Sequence, residues 1–244
     1  MSMESTPAEQ LNRIDRPTTQ VTAAWPEAIW PTLHLIETLR IEPGRHAPLL
    51  DLHLARLTRS AQALGFAAPP HSLTRALEAR IQSVAPDTTW RLRLLLDRTG
   101  HFTLETAPLP PTTEPVLLAL SPWRLPSDAA WLQHKSTYRP LYDPAAHWLA
   151  AHPHIFDLIF LNERNEVCEG SRSTLYIATD QGEWLTPPLN AGALPGVQRQ
   201  ALLNAGHVRE AVLTLNDLNQ APALRVSNAL RGWLTAQKAE TQKP

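Results

Sequence analysis

The 244-residue sequence predicts a mixed α/β fold (α/β with α+β character) in two domains, with a cleft between them. Two observations carry this prediction. Segments typical of strands and segments with helical spacing occur in both halves of the chain. Between the halves, the stretch from Ser121 to Asp128 looks like a domain linker. A cleft between two domains is where cofactor sites form.

The domain boundaries follow from this division. We expect a polar N-terminal segment over residues 1–25, a smaller N-terminal α/β domain over 26–121, a linker over 122–128 and a C-terminal α/β domain over 129–244.

In the first half, alternation and helical spacing predict four strands and two helices before the linker. The strands are Thr32–Ile41, Trp90–Leu96 with a partner at 101–106 after the Arg98–Gly100 turn, and Val116–Leu120. The helices are Leu50–Leu64, stopped by Gly65, and Ser72–Val84, with Ser72 as the predicted N-cap.

The second half mixes strands and helices in the same way. The predicted strands are Phe156–Asn162, Ser173–Thr179, Val208–Thr214 and Leu224–Ser227. The predicted helices are Pro195–Ala205, capped by Gly206, and a short one over Leu230–Lys238.

Bulk properties exclude several classes of function. The net charge of −1 gives no electrostatic basis for binding nucleic acid or an anionic membrane. The N-terminus lacks the apolar stretch of a signal peptide and no apolar run is long enough to span a membrane, so we expect a cytoplasmic protein. There is no G-x-G-x-x-G pattern and no Cys or His cluster with zinc spacing, so we expect no Rossmann dinucleotide site and no metal.

One basic residue stands out from the others by its chemistry. Of 22 basic residues 19 are arginine, and Lys135 is the only lysine outside the polar tail, which holds Lys238 and Lys243. Arginine cannot be deprotonated in a protein, so it can neither form a Schiff base nor act as an amine base. Lys135 is therefore a candidate for amine chemistry, although a composition bias with one surface lysine left over would look the same.

Three blocks of sequence decide between these interpretations. They are residues 133–139 (QHKSTYR), 162–171 (NERNEVCEGS) and 186–199 (TPPLNAGALPGVQR). In this order and spacing they resemble the class IV, pyridoxal-phosphate-dependent aminotransferases, a family that includes aminodeoxychorismate lyase. The likeness runs from about Leu35 to Trp233. It implies a fold-type IV enzyme with pyridoxal 5'-phosphate (PLP) in the interdomain cleft.

The resemblance assigns a role to each candidate cofactor residue. Lys135, in His-Lys-Ser, would be the Schiff-base lysine, and Glu169, before the small-residue turn with Ser171, would be the partner of the pyridine nitrogen. Arg56, in an H-x-x-R helix, would bind the phosphate together with the helix start at Gly196 and Val197, where free N–H groups and the helix dipole favour an anion. Where the family usually has an asparagine before the next strand, this chain has Thr174.

Three further residues are implied near the substrate. Thr38 would present a hydroxyl that relays a proton, although threonine is also simply a good strand residue. Asn228, in an Asn-Ala-Leu block seen in lyase-like members, would contact cofactor or substrate. Arg98 would hold a substrate carboxylate, with Arg91 and Arg93 as rival clamps.

The closest resemblance is to lyase-like members, which implies a 4-amino-4-deoxychorismate lyase that forms p-aminobenzoate and pyruvate for folate synthesis. Two alternatives stay open. One is a class IV transaminase of the branched-chain or D-amino-acid type, and the other is a non-catalytic PLP-binding partner of aminodeoxychorismate synthase. The implied partners are a small-molecule substrate, a second copy in a homodimer and a functional link to that synthase.

Overall fold

The structure, a computed structural model, describes residues 23–239 and contains two β-sheets with helices packed against them. The first sheet has three antiparallel strands in the order β1 (Leu35–Ile41), β2 (Trp90–Leu96) and β3 (Phe102–Pro108). The helices α1 (Leu50–Ala63) and α2 (His71–Ser83) share one apolar core with this sheet. Leu57 and Leu77 from the helices and Leu94 from β2 lie in that core, so the helical stripe and the strand alternation bury the same surface.

The second sheet has eight strands, all from the chain after β3. They are β4 (Val116–Leu125), β5 (Ile155–Asn162), β6 (Val167–Gly170), β7 (Thr174–Ala178), β8 (Trp184–Thr186), β9 (Arg209–Glu210), β10 (Leu224–Asn228) and β11 (Gly232–Lys238). Their order is β6-β5-β4-β11-β10-β7-β8-β9. The pairs β4/β5, β4/β11 and β8/β9 are parallel and the others antiparallel, so the sheet is mixed.

Three helices accompany the large sheet: α3 (Tyr142–Ala151), α4 (Val197–Asn204) and α5 (Leu215–Gln220). Short 3-10 turns occupy Glu27–Thr32, Ala130–Gln133 and Leu189–Ala191. Among the described residues, no helix is both long and apolar enough to cross a membrane.

The predicted helix over Leu230–Lys238 is wrong, because this segment is strand β11. Gly232 has a positive φ of 78°, which suits a tight turn, and it pairs with Asn228 across a hairpin. Leu234 and Ala236 are buried while Thr235 between them is exposed. This period of two is the strand pattern.

Other predicted boundaries also need correction. Of Val208–Thr214 only Arg209–Glu210 is strand, and Thr214 instead caps α5 through a capping box with Asp217. Helix α2 begins at His71 after Pro70, without a side-chain cap, so Ser72 is not its N-cap.

The predicted linker over 122–128 is strand as far as Leu125, because β4 continues through it in the large sheet. The division of the chain into domains at this point stays a prediction. Most of the predicted N-terminal segment, residues 1–22, and the tail from 240, with Lys243, lie outside the described residues.

Candidate active site

A cavity of about 570 Å³ lies between the small sheet and the large one. Its walls include eight of the nine residues that the sequence singles out: Thr38, Arg56, Lys135, Glu169, Ser171, Gly196, Val197 and Asn228. Residues that are far apart in the sequence therefore meet at one place. Arg98, the ninth, does not line this cavity; it is exposed in the turn after β2, with its guanidinium 5.3 Å from the centre of the Trp30 ring.

The backbone on either side of Lys135 is fixed to the first strand. The carbonyl of Lys135 accepts a hydrogen bond from the Ile36 amide at 2.7 Å, and the Thr137 amide donates to the His34 carbonyl at 2.9 Å. This short bridge anchors Lys135 beside β1, whose Thr38 lines the same cavity. The lysine is therefore held by main-chain contacts, and its side chain is left for the cavity.

The amine of Lys135 is electrostatically unlike a surface lysine. Burial in the cavity wall, followed by the charges of Arg139 and Arg56, lowers its pKa from 10.5 to about 7, against the opposing charges of Glu37 and Glu169. A substantial fraction of the Lys135 amine is therefore neutral near pH 7. Only the neutral form of an amine can act as a nucleophile or a base.

Arg56 is held by a residue that the sequence analysis missed, Glu37 of β1. The guanidinium donates to both carboxylate oxygens, from Nε at 2.8 Å and from Nη2 at 2.6 Å, and Nδ1 of His53 lies 2.5 Å from Oε2. All three side chains are buried. Burial alone would raise the pKa of Glu37, but the charge of Arg56 and the hydrogen bonds from His53 and Arg56 outweigh it and lower the pKa to about 2.

The strand pattern contains the signal that would have found Glu37. Leu35, Glu37, Leu39 and Ile41 share one face of β1, and all are buried. A carboxylate among apolar residues on an inward face needs a buried cation or several donors. The H-x-x-R pattern in the following helix supplies both.

The start of α4 offers an anion site next to Arg56. Nη1 of Arg56 donates to the Pro195 carbonyl at 3.2 Å, which places the guanidinium beside the N-cap Gly196. A Cβ at Gly196 would lie 3.1 Å from Oγ1 of Thr174, which is a tight contact that glycine avoids. The first N–H groups of a helix have no partner within the helix and carry the positive end of its dipole.

Glu169 lies at the end of β6 and is 6% exposed. Its Oε1 accepts a hydrogen bond from the Tyr142 hydroxyl at 2.6 Å, and its Oε2 accepts one from the Leu194 amide at 2.9 Å. Burial raises its pKa from 4.5 to about 7, against these two hydrogen bonds and the charges of Arg139 and Lys135. A carboxylate has about four lone-pair sites, so this one can still accept a hydrogen bond from a cationic N–H in the cavity.

The turn after Glu169 is built around a second buried carboxylate, Asp157 of β5. Its Oδ1 accepts from the Ser171 amide at 2.9 Å and from the Ser171 hydroxyl at 2.6 Å, and its Oδ2 accepts from the Ser173 hydroxyl at 2.5 Å. A Cβ at Gly170 would overlap this carboxylate, which explains the glycine. The Ser171 hydroxyl is thus committed to shaping the turn that presents Glu169.

A search against protein families finds that residues 34–239 match the model of amino-transferase class IV. The chain belongs to this family.

Relatives of this class IV chain carry two kinds of name. A protein of Schizosaccharomyces pombe named "Putative aminodeoxychorismate lyase" is 27% identical over 191 residues, which is 75% of this chain and 80% of that protein. The structure of a "Putative amino-acid aminotransferase" from Mesorhizobium loti is 37% identical with a TM-score of 0.78, and covers 85% of this chain and 100% of its own.

A third relative is a "hypothetical aminotransferase" from Mycobacterium tuberculosis, solved with alpha-ketoglutarate and PMP bound. It is 25% identical with a TM-score of 0.72, over 93% of this chain and 88% of its own. Together these comparisons confirm the predicted fold, a mixed α/β fold of fold type IV. They also confirm the predicted class of protein, a member of a PLP-dependent enzyme family.

The cavity of this class IV chain fits the cofactor of its family. It holds one lysine whose amine is partly neutral, one buried carboxylate with free lone pairs, and an arginine beside a helix start. These match the aldehyde, the pyridine nitrogen and the phosphate of PLP respectively.

Two of the sequence-derived candidates have side chains whose placement qualifies their role. The amide of Asn228 donates to the Arg172 carbonyl at 3.1 Å, and its oxygen accepts from the amides of Leu230 and Arg231. It lines the cavity but fixes the turn between β10 and β11. Within residues 23–239 the hydroxyl of Thr38 has no such hydrogen bond, and the side chain is half-buried at the cavity wall.

Proposed function

We propose that this class IV protein is a PLP-dependent 4-amino-4-deoxychorismate lyase, which eliminates pyruvate to give p-aminobenzoate. The observation that carries the proposal is the shared cavity, where the lysine of lowered pKa, Lys135, and the buried Glu169 line the same space as Arg56. The lyase assignment is supported by the Asn-Ala-Leu block that starts at Asn228, which resembles lyase-like members, and by the name of the S. pombe relative.

The residues divide the binding of PLP among them. Arg56 and the amides at Gly196 and Val197 would hold the phosphate, Lys135 would carry the cofactor, and Glu169 would keep the ring nitrogen protonated. When bound, PLP supplies an electron sink for the bond that breaks. Glu37 already fixes the orientation of Arg56, so the arginine side chain loses less conformational entropy when it binds the phosphate.

The amine of Lys135 is suited to move a proton at the substrate. With a pKa of about 7 it is partly neutral at physiological pH, and it can accept the proton from C4 of the substrate. Loss of that proton and of the enolpyruvyl group makes the ring of the substrate aromatic. We propose that the hydroxyl of Thr38, on the same cavity wall, relays a proton to the leaving group.

A transaminase is the second candidate, because the 37% identical relative from M. loti is named as an aminotransferase. A transaminase accepts the amino group of one substrate and passes it to a 2-oxo acid. The lyase needs no second substrate. The two candidates therefore differ in whether a 2-oxo acid is consumed.

The deciding experiment supplies purified, PLP-saturated enzyme with 4-amino-4-deoxychorismate and measures p-aminobenzoate and pyruvate. A parallel reaction contains branched-chain or D-amino acids with 2-oxoglutarate. We expect equal amounts of p-aminobenzoate and pyruvate without an added 2-oxo acid, and neither product with Lys135→Ala. Formation of glutamate without p-aminobenzoate would show that the protein is a transaminase instead.

We also propose a cytoplasmic homodimer that works with an aminodeoxychorismate synthase in folate synthesis. The basis is the family resemblance. Light scattering of the purified protein tests the dimer. Growth of a p-aminobenzoate auxotroph that carries the gene tests the place in folate synthesis.

A further inference from the structure

Two arginines at the cavity wall have no role in the binding of the cofactor described above. Arg172 follows the turn that presents Glu169, and Arg231 lies in the turn between β10 and β11. The structure brings them together although they are 59 residues apart in the chain, because Asn228 binds the Arg172 carbonyl and the Arg231 amide at the same time.

Neither guanidinium is neutralised by a carboxylate in the part of the chain that the structure describes. Within residues 23–239 neither Arg172 nor Arg231 forms an ion pair with a carboxylate. Each is held instead by a backbone carbonyl: Nε and Nη2 of Arg172 donate to Phe156, and Nη1 of Arg231 donates to Pro110. Neutral carbonyls fix the direction of a guanidinium and leave its full charge available.

The charges also repel one another. The pKa of Arg231 is lowered by burial and then by the like charges of Arg172 and Arg40. Arg40 is partly compensated by Glu42, with 3.5 Å between Nε and Oε1, and its Nη1 donates to the Leu230 carbonyl. Such a convergence of cations costs free energy in the free protein and is relieved when an anion binds.

The other arginines at the cavity already pair with carboxylates of the protein. Arg56 is bound to Glu37, Arg199 to Glu210, and Arg139 lies 3.5 Å from Asp143. Of the cavity arginines, Arg172 and Arg231 are thus the two that have no carboxylate partner among the described residues.

We propose that Arg172 and Arg231 form a clamp for carboxylates of the substrate, so that the site selects amino compounds with two carboxylates over those with one. The proposal rests on the proposed function, since the lyase substrate has one carboxylate on its ring and one on its enolpyruvyl group. Arginine suits this task because its planar fork binds a carboxylate through two parallel hydrogen bonds.

The test separates binding from catalysis. The affinity of the PLP-saturated enzyme is measured by calorimetry for 3-(carboxymethoxy)benzoate, an unreactive dicarboxylate, and for 3-methoxybenzoate, which lacks the second carboxylate. We expect the dicarboxylate to bind at least about tenfold more tightly, from one charge-assisted contact. This preference should be lost in Arg172→Gln and in Arg231→Gln. It should remain in Arg59→Gln, an exposed arginine of α1 outside the cavity.

Equal affinity of the wild-type enzyme for the two acids would overturn the clamp, and so would a preference that survives in both cavity variants. Arg172 is exposed, so its replacement is not expected to disturb folding, and circular dichroism checks both variants. The lyase assay keeps the two proposals apart. Product formation with an unchanged KM in both variants would remove the clamp and leave the lyase. If the wild-type enzyme prefers the dicarboxylate, loses this preference in both variants and forms no p-aminobenzoate, the lyase proposal fails and the clamp stands.

Discussion

Replacement of Glu37 by glutamine should destabilise the protein, because it removes the charge that balances Arg56 without changing the size of the side chain. Glu37, His53 and Arg56 are all buried, at 2%, 2% and 4% exposure. In Glu37→Gln the arginine stays charged, since its pKa is far above neutral. The variant therefore contains a buried cation without its carboxylate partner.

Two routes give the size of the effect. Breaking a buried ion pair by removing one partner costs about 3–5 kcal/mol. Independently, the pKa of Glu37 lies at about 2 instead of 4.5, and at about 1.36 kcal/mol per unit this corresponds to about 3 kcal/mol. Glutamine resembles the protonated carboxyl, so the two routes describe the same loss. We expect the free energy of unfolding to fall by about 3 kcal/mol.

The dependence on pH has a definite sign. The folded state binds the Glu37 proton more weakly than the unfolded state, so the stabilisation is complete above pH 4.5 and disappears as the pH falls towards 2. The difference between wild type and Glu37→Gln should therefore be largest near pH 7. At about pH 3 it should have shrunk to roughly half.

Urea unfolding of the PLP-free proteins, followed by tryptophan fluorescence at pH 7 and pH 3, measures this difference. Glu42→Gln is the matched control, because its carboxylate is 42% exposed and pairs with Arg40 at 3.5 Å, and such a surface pair contributes at most about 1 kcal/mol. A loss below about 1 kcal/mol for Glu37→Gln at pH 7, or a difference that does not shrink at pH 3, would refute the reasoning.

Three further substitutions test the site. Lys135→Ala should abolish covalent retention of PLP after borohydride reduction, measured by intact mass; a retained adduct would mean that another group carries the cofactor. Glu169→Gln should keep PLP content near that of wild type while kcat falls on the order of 10²-fold, because one charge that stabilises the reacting state is lost. If the variant keeps a kcat near that of wild type in an assay where the chemical step is rate-limiting, Glu169 does not stabilise the reacting state. Gly170→Ala should lower the free energy of unfolding by about 1–3 kcal/mol in urea titrations, because its Cβ overlaps the Asp157 carboxylate; an unchanged midpoint would contradict the packing.

The sequence predicts the strands and helices with clear periodicity, and misses those whose boundaries depend on partners. Helix α1 and strand β2 follow directly from the spacing of their apolar residues, which is helical in α1 and alternating in β2. The segment predicted as a helix over Leu230–Lys238 forms strand β11 instead, because its state depends on pairing with β10 and β4. Strand β4 runs beyond its apolar start because β5 pairs with it as far as Leu125.

The candidate site shows the same limit in its chemistry. Lys135, Glu169 and Arg56 could be singled out because motifs and a rare residue type mark them in the chain. Asp157 could not, because a lone aspartate in an apolar strand gives no sign that it accepts hydrogen bonds from residues 171–173. The candidate ligand-binding residues are marked by motifs in the sequence, whereas the role of Asp157 depends on contacts that only the fold creates.

The charged residues of the candidate site come from both sides of the cavity. The cavity lies where the small sheet meets the large one, and each side supplies charged side chains to it. Glu37 and Arg56 come from β1 and α1, whereas Lys135, Glu169 and the start of α4 belong to the chain around the large sheet. The contact between Arg56 and the Pro195 carbonyl and the bridge between β1 and Ser136 fix the two sides in register. Because the amine of Lys135 owes its lowered pKa partly to Arg56, the packing of the two sides also sets the chemistry of the lysine.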